Sequence, residues 1–352
     1  MNEPPRAMIY GANGYTGRLI ARRARERGLR PTLAGRNHEA ITALAAELDC
    51  PAVSFSLQQP AQISEYLKGY AAVMHCAGPF SQTARQMMDA CISAGADYLD
   101  ITGEIDVILA AAGRHERARG AGVALLPAVG FDVVPSDCLA AMLAEKLPAP
   151  RVLQLAFTDT GGLSPGTAKT MVEALPHGGR VRIDGEIRDV PTAWKTMEIP
   201  FRHGQRFAVT IPWGDVASAY YSTGIPNIEV YTAMSRKQVA RLRRLRFLLP
   251  LLGWKPIQKF ASRRINKTVK GPADETRQSA RASLWGRVCD DQGNGVSATL
   301  ETPSGYELTA MTAVAALEKT LDKSVPRGFS TASQAFGKDF ILSFPNTDIE
   351  WD

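Results

Sequence analysis

A chain of 352 residues that is 45% hydrophobic can build two cored domains, since single cores rarely grow past roughly 250 residues. Five cysteines (Cys50, Cys76, Cys91, Cys138 and Cys289) show no CxxC or Cys/His ligand spacing, so no metal site is expected and a reducing, cytoplasmic setting is. The net charge of +6 conceals an asymmetry: 236–270 holds twelve Lys/Arg and no acid, leaving 29 basic against 35 acidic residues elsewhere. The start, "MNEPPRAMIYGA", lacks the charged and apolar regions of a signal peptide. "FLLPLLGW", from Phe247, falls far short of the ~20 apolar residues a membrane-spanning helix needs.

Up to about Leu147 short apolar runs alternate with helix-like stretches, the pattern of βαβ units and a parallel sheet. "AMIYGA" is a strand and "YTGRLIARRARERG" its crossover helix, stopped by Gly28. "RPTLAGR" is a second strand, after which Asn37 caps the helix "HEAITALAAELD". Strands follow at "PAVSFSL", "AAVMHCAG", "ADYLDITGE" and "GVALLPAVGFD", with helices between them. The fold class predicted is α/β, a Rossmann-type doubly wound parallel sheet over 1–147.

After Pro148 and Pro150 the texture turns to alternating, turn-punctuated runs: "RVLQLAFTD", "GRVRIDGEIRDV", "KTMEIPFR" and "RFAVTIP". These, with a hairpin around "DQGNG", predict a second α+β domain over 148–304 whose sheet is largely antiparallel. "YELTAMTAVAALEKTLD" opens a C-terminal segment, 305–352, expected to pack back on the first domain.

The segment Gly11-Ala12-Asn13-Gly14-Tyr15-Thr16-Gly17 follows a strand and opens a helix. Glycines in that position allow a sharp turn and let a pyrophosphate approach the backbone, while the helix N-terminus offers partial positive charge. The second strand ends in Gly35-Arg36-Asn37, where an NAD-selective site would carry an acid. A guanidinium matches a 2′-phosphate in charge and fork geometry, so NADP(H) is the expected cofactor. Later strand ends carry Ala77-Gly78-Pro79-Phe80, Thr102-Gly103-Glu104 and Gly130-Phe131-Asp132. Glu104 and Asp132 are the candidate catalytic groups, for orienting substrate or moving a proton; each could equally serve as a local cap, Glu104 for the helix that follows it.

These residues together resemble a known family. "YGANGYTGRLIA", "LAGR", "CAGPF", "ACISAGADYLDITGE", "GFDVVPSD", "SPGTAKTMVE" and "GPADETR" occur in this order in the saccharopine dehydrogenase-like oxidoreductases, which include the trans-acting enoyl reductases. The resemblance runs from about Met8 to about Phe340. It implies an NADP-binding Rossmann domain, a second α/β domain inserted before a returning C-terminal helix, and reductase-like activity. It further implies that Gly11, Asn13, Gly14, Tyr15, Thr16 and Gly17 hold the pyrophosphate, Arg36 the adenosine phosphate, and Gly78 with Pro79 the nicotinamide ribose side. It does not imply saccharopine as substrate.

In the second domain, "GGLSPGTAKTMVE" reads as a loop capping a helix that starts near Thr167, and the aromatics of "TIPWGDVASAYYSTGIPNIEVY" read as sheet core. The histidines show no metal or triad spacing, and His75 reads as a core residue. In "RKQVARLRRLRFLLPLLGW", Val239, Leu242, Leu245 and Leu249 recur at helical spacing among five arginines and a lysine. Such a basic amphipathic helix suits an anionic membrane surface or an acyl carrier, or else a core helix with snorkelling cations. Nucleic acid is not an expected partner. The sum is an NADP(H)-dependent reductase that delivers hydride to a C=C or C=N bond of a small-molecule, acyl-thioester or imine substrate. It would be cytoplasmic or peripheral to the membrane, and a homodimer is compatible with it. The alternative is a non-catalytic NADP(H) sensor or membrane-surface scaffold.

Overall fold

The computed structural model describes residues 5–352, apart from the side chains of Ala61, Lys255, Lys259, Ser262, Asn266 and Lys267. Met1–Pro4, where the signal-peptide reading and the 1–147 domain begin, lie outside the described residues. The chain forms two units, Met1–Val134 with Tyr306–Gly337, and Pro135–Gly305 with Lys338–Asp352.

The expected alternation runs as β1 (Ala7–Tyr10), α1 (Tyr15–Glu26), β2 (Thr32–Gly35), α2 (His38–Glu47), β3 (Ala52–Ser54) and α3 (Pro60–Leu67). It continues through β4 (Ala72–His75), α4 (Phe80–Ala94), β5 (Asp97–Asp100), α5 (Ile105–Ala112), α6 (His115–Gly120) and β6 (Ala124–Leu126). The second unit opens with α7 (Val134–Lys146), β7 (Val152–Asp159), α8 (Pro165–Ala174), β8 (Gly179–Ile183), β9 (Glu186–Val190), β10 (Thr196–Phe201) and β11 (Gly204–Thr210). Then come α9 (Asp215–Thr223), β12 (Asn227–Ala233), α10 (Arg236–Leu245), α11 (Lys255–Thr268), α12 (Asp274–Ser279), β13 (Arg281–Cys289) and β14 (Gly295–Pro303). The chain closes with α13 (Gly305–Leu321), β15 (Gly328–Phe329), α14 (Ala332–Phe336) and β16 (Asp348–Trp351).

In the first unit the strands form one parallel sheet in the order β15-β6-β5-β4-β1-β2-β3. Every residue of β1, β2, β4 and β5 is buried, as expected for strands covered by helices on both faces. Ile9, Ile20, Leu33, Met74 and Leu99 share one core with Ala313, Val314 and Leu317 of α13, so the C-terminal helix does return to this domain. Strand order reverses at β1, which pairs with both β2 and β4, and ligands of such sheets bind at the carboxyl ends beside that switch point.

The second unit holds a mixed, mostly antiparallel sheet in the order β10-β11-β12-β7-β13-β14-β16, with the β8–β9 hairpin joined to β12. Only the β12–β7 pair is parallel among these.

The domain boundaries differ from the 147/148 and 304/305 divisions that the sequence suggests. Those divisions put helix α7 in the first domain, yet Leu139 and Leu143 press on Gly286 of β13, where a Cβ would stand 2.6 Å from Leu143 Cδ1. The 305–352 segment divides as well. Its part to Gly337 stays with the parallel sheet, whereas β16 pairs with β14 and Lys338 bridges to Glu145 of α7 at 3.0 Å. Edge-strand pairing of this kind needs only free backbone groups, so side-chain pattern gives no notice of it.

Two local readings also change. Tyr220 and Tyr221 lie on helix α9, not in a sheet core, and the Arg182 guanidinium covers the Tyr220 ring at 4.2 Å. Helix α8 begins at Pro165, two residues before the expected start, because Ser164 caps it by accepting from Thr167 N at 3.2 Å.

Candidate cofactor site

The three glycines after β1 do different things. Gly11 has φ +82°, and a Cβ there would stand 2.8 Å from Ala77 N, so this glycine lets the end of β4 close against the end of β1. At Gly17 a Cβ would fall 2.3 Å from Gly11 O, so its absence lets α1 pack onto the loop. Gly14 is exposed, and a Cβ placed there would have only Gly11 O nearby, at 3.3 Å, so this glycine leaves the helix N-terminus open to an approaching group. No side chain caps α1 at Gly14, its first turn carries no acid, and its last turn carries Arg23 and Arg25. With no acid in the first turn, the partial positive charge of the helix N-terminus is not offset there. The Gly11 and Ala12 amides donate to Ala34 O at 2.7 and 3.2 Å, which ties the loop to β2. Arg18 N, donating to Gly14 O at 3.0 Å, opens the helical ladder, with the first-turn amides at Thr16 and Gly17 ahead of it. A loop with these missing Cβ atoms and this uncapped helix end fits a dinucleotide pyrophosphate.

At the end of β2, Gly35 leaves room for Asn13 Oδ1, 3.1 Å from where a Cβ would be, so the glycine loop and this strand end touch. Asn37 caps α2, its Oδ1 accepting from Ala40 N at 3.1 Å, and Glu39 lies within the helix's first turn. Arg36 is exposed. Burial pushes the Tyr10 phenol up to about 12, and the nearby Arg36 charge opposes that shift. Arg36 therefore lies close enough to Tyr10, at the end of β1, to act on its charge, and is open to solvent.

After β4 the Ala77-Gly78-Pro79 turn contains a cis Gly78–Pro79 bond. Thr83 of α4 fastens it, donating to Ala77 O at 2.7 Å with Pro79 O also at 3.1 Å. His75 Nε2 lies 3.0 Å from the same hydroxyl. Burial lowers the His75 pKa to about 3, so the ring is neutral, and with Thr83 donating to carbonyls the proton belongs on Nε2. His75 is thus a core residue that orients Thr83.

Glu104 occupies the N-cap position of α5 but gives that helix no side-chain bond. Its carboxylate turns to α4, accepting from Phe80 N at 2.9 Å and Ser81 N at 2.7 Å. The expected cap is real but serves the other helix, because α4 begins at Pro79 without a side-chain cap or first-turn acid of its own. Asp132 sits over Gly103, where a Cβ would stand 2.7 Å from Asp132 Oδ2. The two candidate carboxylates therefore rise from neighbouring strand ends on the same side as Ala77-Gly78-Pro79.

What holds those strand ends together is Asp100, a residue to which the sequence reading assigns no role. It is fully buried and accepts from Tyr98 Oη at 2.6 Å, Thr102 N at 3.0 Å and Ala128 N at 2.8 Å. Burial raises its pKa to about 6, against the pull of those three donors. Helix α13 supports the next loop: Thr309 Oγ1 accepts from Phe131 N at 3.0 Å and Thr312 Oγ1 donates to Val129 O at 2.8 Å. Tyr306 meets Tyr15 edge to face at 5.1 Å. Sequence spacing alone gives none of these residues its supporting role. The visible hint is only that "YLDITGE" sets an acid at the end of an apolar strand.

A parallel sheet that reverses between β2 and β4, with three glycines sorted in this way at its switch point, defines a dinucleotide-binding Rossmann unit. Residues 7–126 match the family model of the saccharopine dehydrogenase NADP binding domain. A putative trans-acting enoyl reductase of Mycobacterium tuberculosis is 31% identical over 188 residues, 48% of this chain and 43% of that protein. A trans-acting enoyl reductase of Mycobacterium ulcerans is 31% identical over 144 residues, 37% of this chain and 33% of that one. The matched region thus spans less than half the length of these curated relatives. Among solved structures, apo saccharopine dehydrogenase (L-Glu forming) from Saccharomyces cerevisiae shares the fold, with a TM-score of 0.68 at 11% identity, over 99% of this chain and 100% of that one. Over residues 7–126, about a third of its length, the chain thus matches the NADP binding domain of saccharopine dehydrogenase, and its fold is shared with the yeast enzyme. NADP(H) is its cofactor.

Proposed function

We propose that this chain is an NADP(H)-dependent reductase acting on a polarised C=C or C=N bond of an acyl or imine substrate. The observation that carries the reading is the grouping of the glycine cradle, Arg36, the Ala77–Pro79 turn and two carboxylates at the carboxyl ends of one parallel sheet. Relatives named enoyl reductases favour the C=C bond of an enoyl group.

Bound NADPH would supply the hydride. The first-turn amides of α1 with Gly14 would bind the pyrophosphate, Arg36 the 2′-phosphate, and Gly78 with Pro79 the nicotinamide ribose side. Asp132 is the group assigned to hold or move the substrate proton. Glu104, engaged by two amides at the head of α4, positions the turn and orients substrate.

Stopped-flow NADPH oxidation against panels of enoyl thioesters and of keto acids with amines tests this. Asp132→Asn should slow the best substrate about 100-fold, within the range for a proton-transfer group, while NADPH affinity stays within about twofold. Tight NADPH binding with no oxidation by either panel would favour the non-catalytic sensor instead.

A further inference from the structure

We infer that the segment Phe247–Phe260 is a docking surface for an anionic lipid bilayer. Its side chains are the most exposed large apolar groups among the described residues: Phe247 is 78% exposed, Trp254 and Phe260 68%, Leu251 62% and Leu248 57%. Helix α10 does not explain them. Its own apolar face is already used, with Val239 and Leu242 packed against Ala193, Val209 and Phe207. The exposed groups lie beyond that face, where the chain leaves α10 at Leu245, passes through the short 3-10 helix Leu249–Gly253 and enters α11. Helix α8 packs beside α11 and adds Met171, half exposed, to the same region.

The charge that 236–270 itself carries is of one sign. Two of the cations have structural partners: Arg236 pairs with Glu198, and Arg243 donates to Ala193 O at 2.8 Å and Trp194 O at 3.2 Å. Lys237, Arg241, Arg244 and Arg246 are exposed, as are Arg263 and Arg264 on α11, and 236–270 has no acid to neutralise them. Arg246 lies over the Phe247 ring, 5.0 Å from its centroid.

Exposed aromatic and aliphatic tips beside a cationic field are what an anionic bilayer surface rewards, with the apolar groups entering the acyl boundary and the cations meeting headgroups. Among the described residues no helix is long and apolar enough to cross a membrane, so the segment would lie on the surface rather than span it.

The test is co-sedimentation of the full chain with vesicles of phosphatidylcholine alone and of equal parts phosphatidylcholine and phosphatidylglycerol. Binding should be about tenfold or more tighter to the anionic vesicles and weaken as salt is raised. The double change Phe247→Ser and Trp254→Ser should weaken it about tenfold while NADPH affinity stays unchanged, and Arg244→Gln with Arg246→Gln should also weaken it. Tryptophan emission should shift to the blue on adding anionic vesicles, and Trp254→Phe should remove that shift. Absence of binding to the anionic vesicles would overturn the inference. So would binding that the serine changes leave intact, or a dimer in solution that they convert to monomer, since a second copy would then cover the patch.

Discussion

Gly17→Ala is expected to weaken NADPH binding about 100-fold or more, the equivalent of roughly 2.7 kcal/mol. The added Cβ would lie 2.3 Å from Gly11 O and 3.0 Å from Ala12 Cα, and both neighbours are backbone, which cannot swing aside as a flexible side chain would. Relief must come from moving α1 away from the loop or from bending the loop itself. Either motion displaces the first-turn amides that would face the pyrophosphate. Overpacking of this kind also costs about 1–3 kcal/mol of stability, so the melting temperature should fall with the affinity. Gly14→Ala separates the two effects. Its Cβ would meet only Gly11 O, at 3.3 Å, so the fold should survive with a small loss, while the new methyl stands at the open helix end and still weakens NADPH. Melting curves with and without NADPH check both variants. A Gly17→Ala protein with unchanged melting temperature and unchanged affinity would refute the assigned roles of the glycines.

The second large effect belongs to Asp100. Asp100→Ala would leave Tyr98 Oη, Thr102 N and Ala128 N buried without their acceptor. Each orphaned donor costs about 1–3 kcal/mol, so a total loss of about 3–5 kcal/mol is expected in urea unfolding. Asp100→Asn keeps an acceptor oxygen but removes the titration, and this gives the position a pH signature. Burial raises the folded-state pKa to about 6, above the ~3.9 of an unfolded aspartate. Between these values the folded chain holds a proton that the unfolded chain has released. The stability from this group is therefore fully present below about pH 4 and is lost as pH rises through about 6. The full loss amounts to about 3 kcal/mol. Asp100→Asn should flatten that segment of the stability profile, and a variant whose profile from pH 4 to pH 7 parallels the wild type would contradict the account.

The glycine loop shows why the first domain can be read from sequence. Turn, approach and packing each demand a residue without Cβ at a fixed spacing, and the strand and helix around them declare themselves by burial pattern. Asn37 and Gly28 are legible for the same reason, since capping is a local matter. Longer-range choices are not. Glu104 is readable as a cap, but not as the cap of α4, because nothing local says which of two helix ends will lie within reach of a carboxylate. Asp100 gathers donors from Tyr98, Thr102 and Ala128, and that convergence exists only once β5 and β6 are paired. Helix α7 carries apolar residues around much of its circumference, so its sequence does not announce that Leu139 and Leu143 will settle on Gly286. In 236–270 burial is uneven along the segment. Val239 and Leu242 belong to a core, while Phe247, Leu248, Leu251, Trp254 and Phe260 remain exposed.

The central claim is a site built for NADP(H), and Arg36 is its most direct point of test. Calorimetric titration of NADPH and NADH into the wild type and into Arg36→Ala gives four affinities. The wild type should prefer NADPH. Arg36→Ala should bind NADPH about 10- to 100-fold more weakly, the size of a lost charged hydrogen bond, and NADH within about twofold of the wild type. Equal weakening of both nucleotides, or a wild type that prefers NADH, would contradict the assignment.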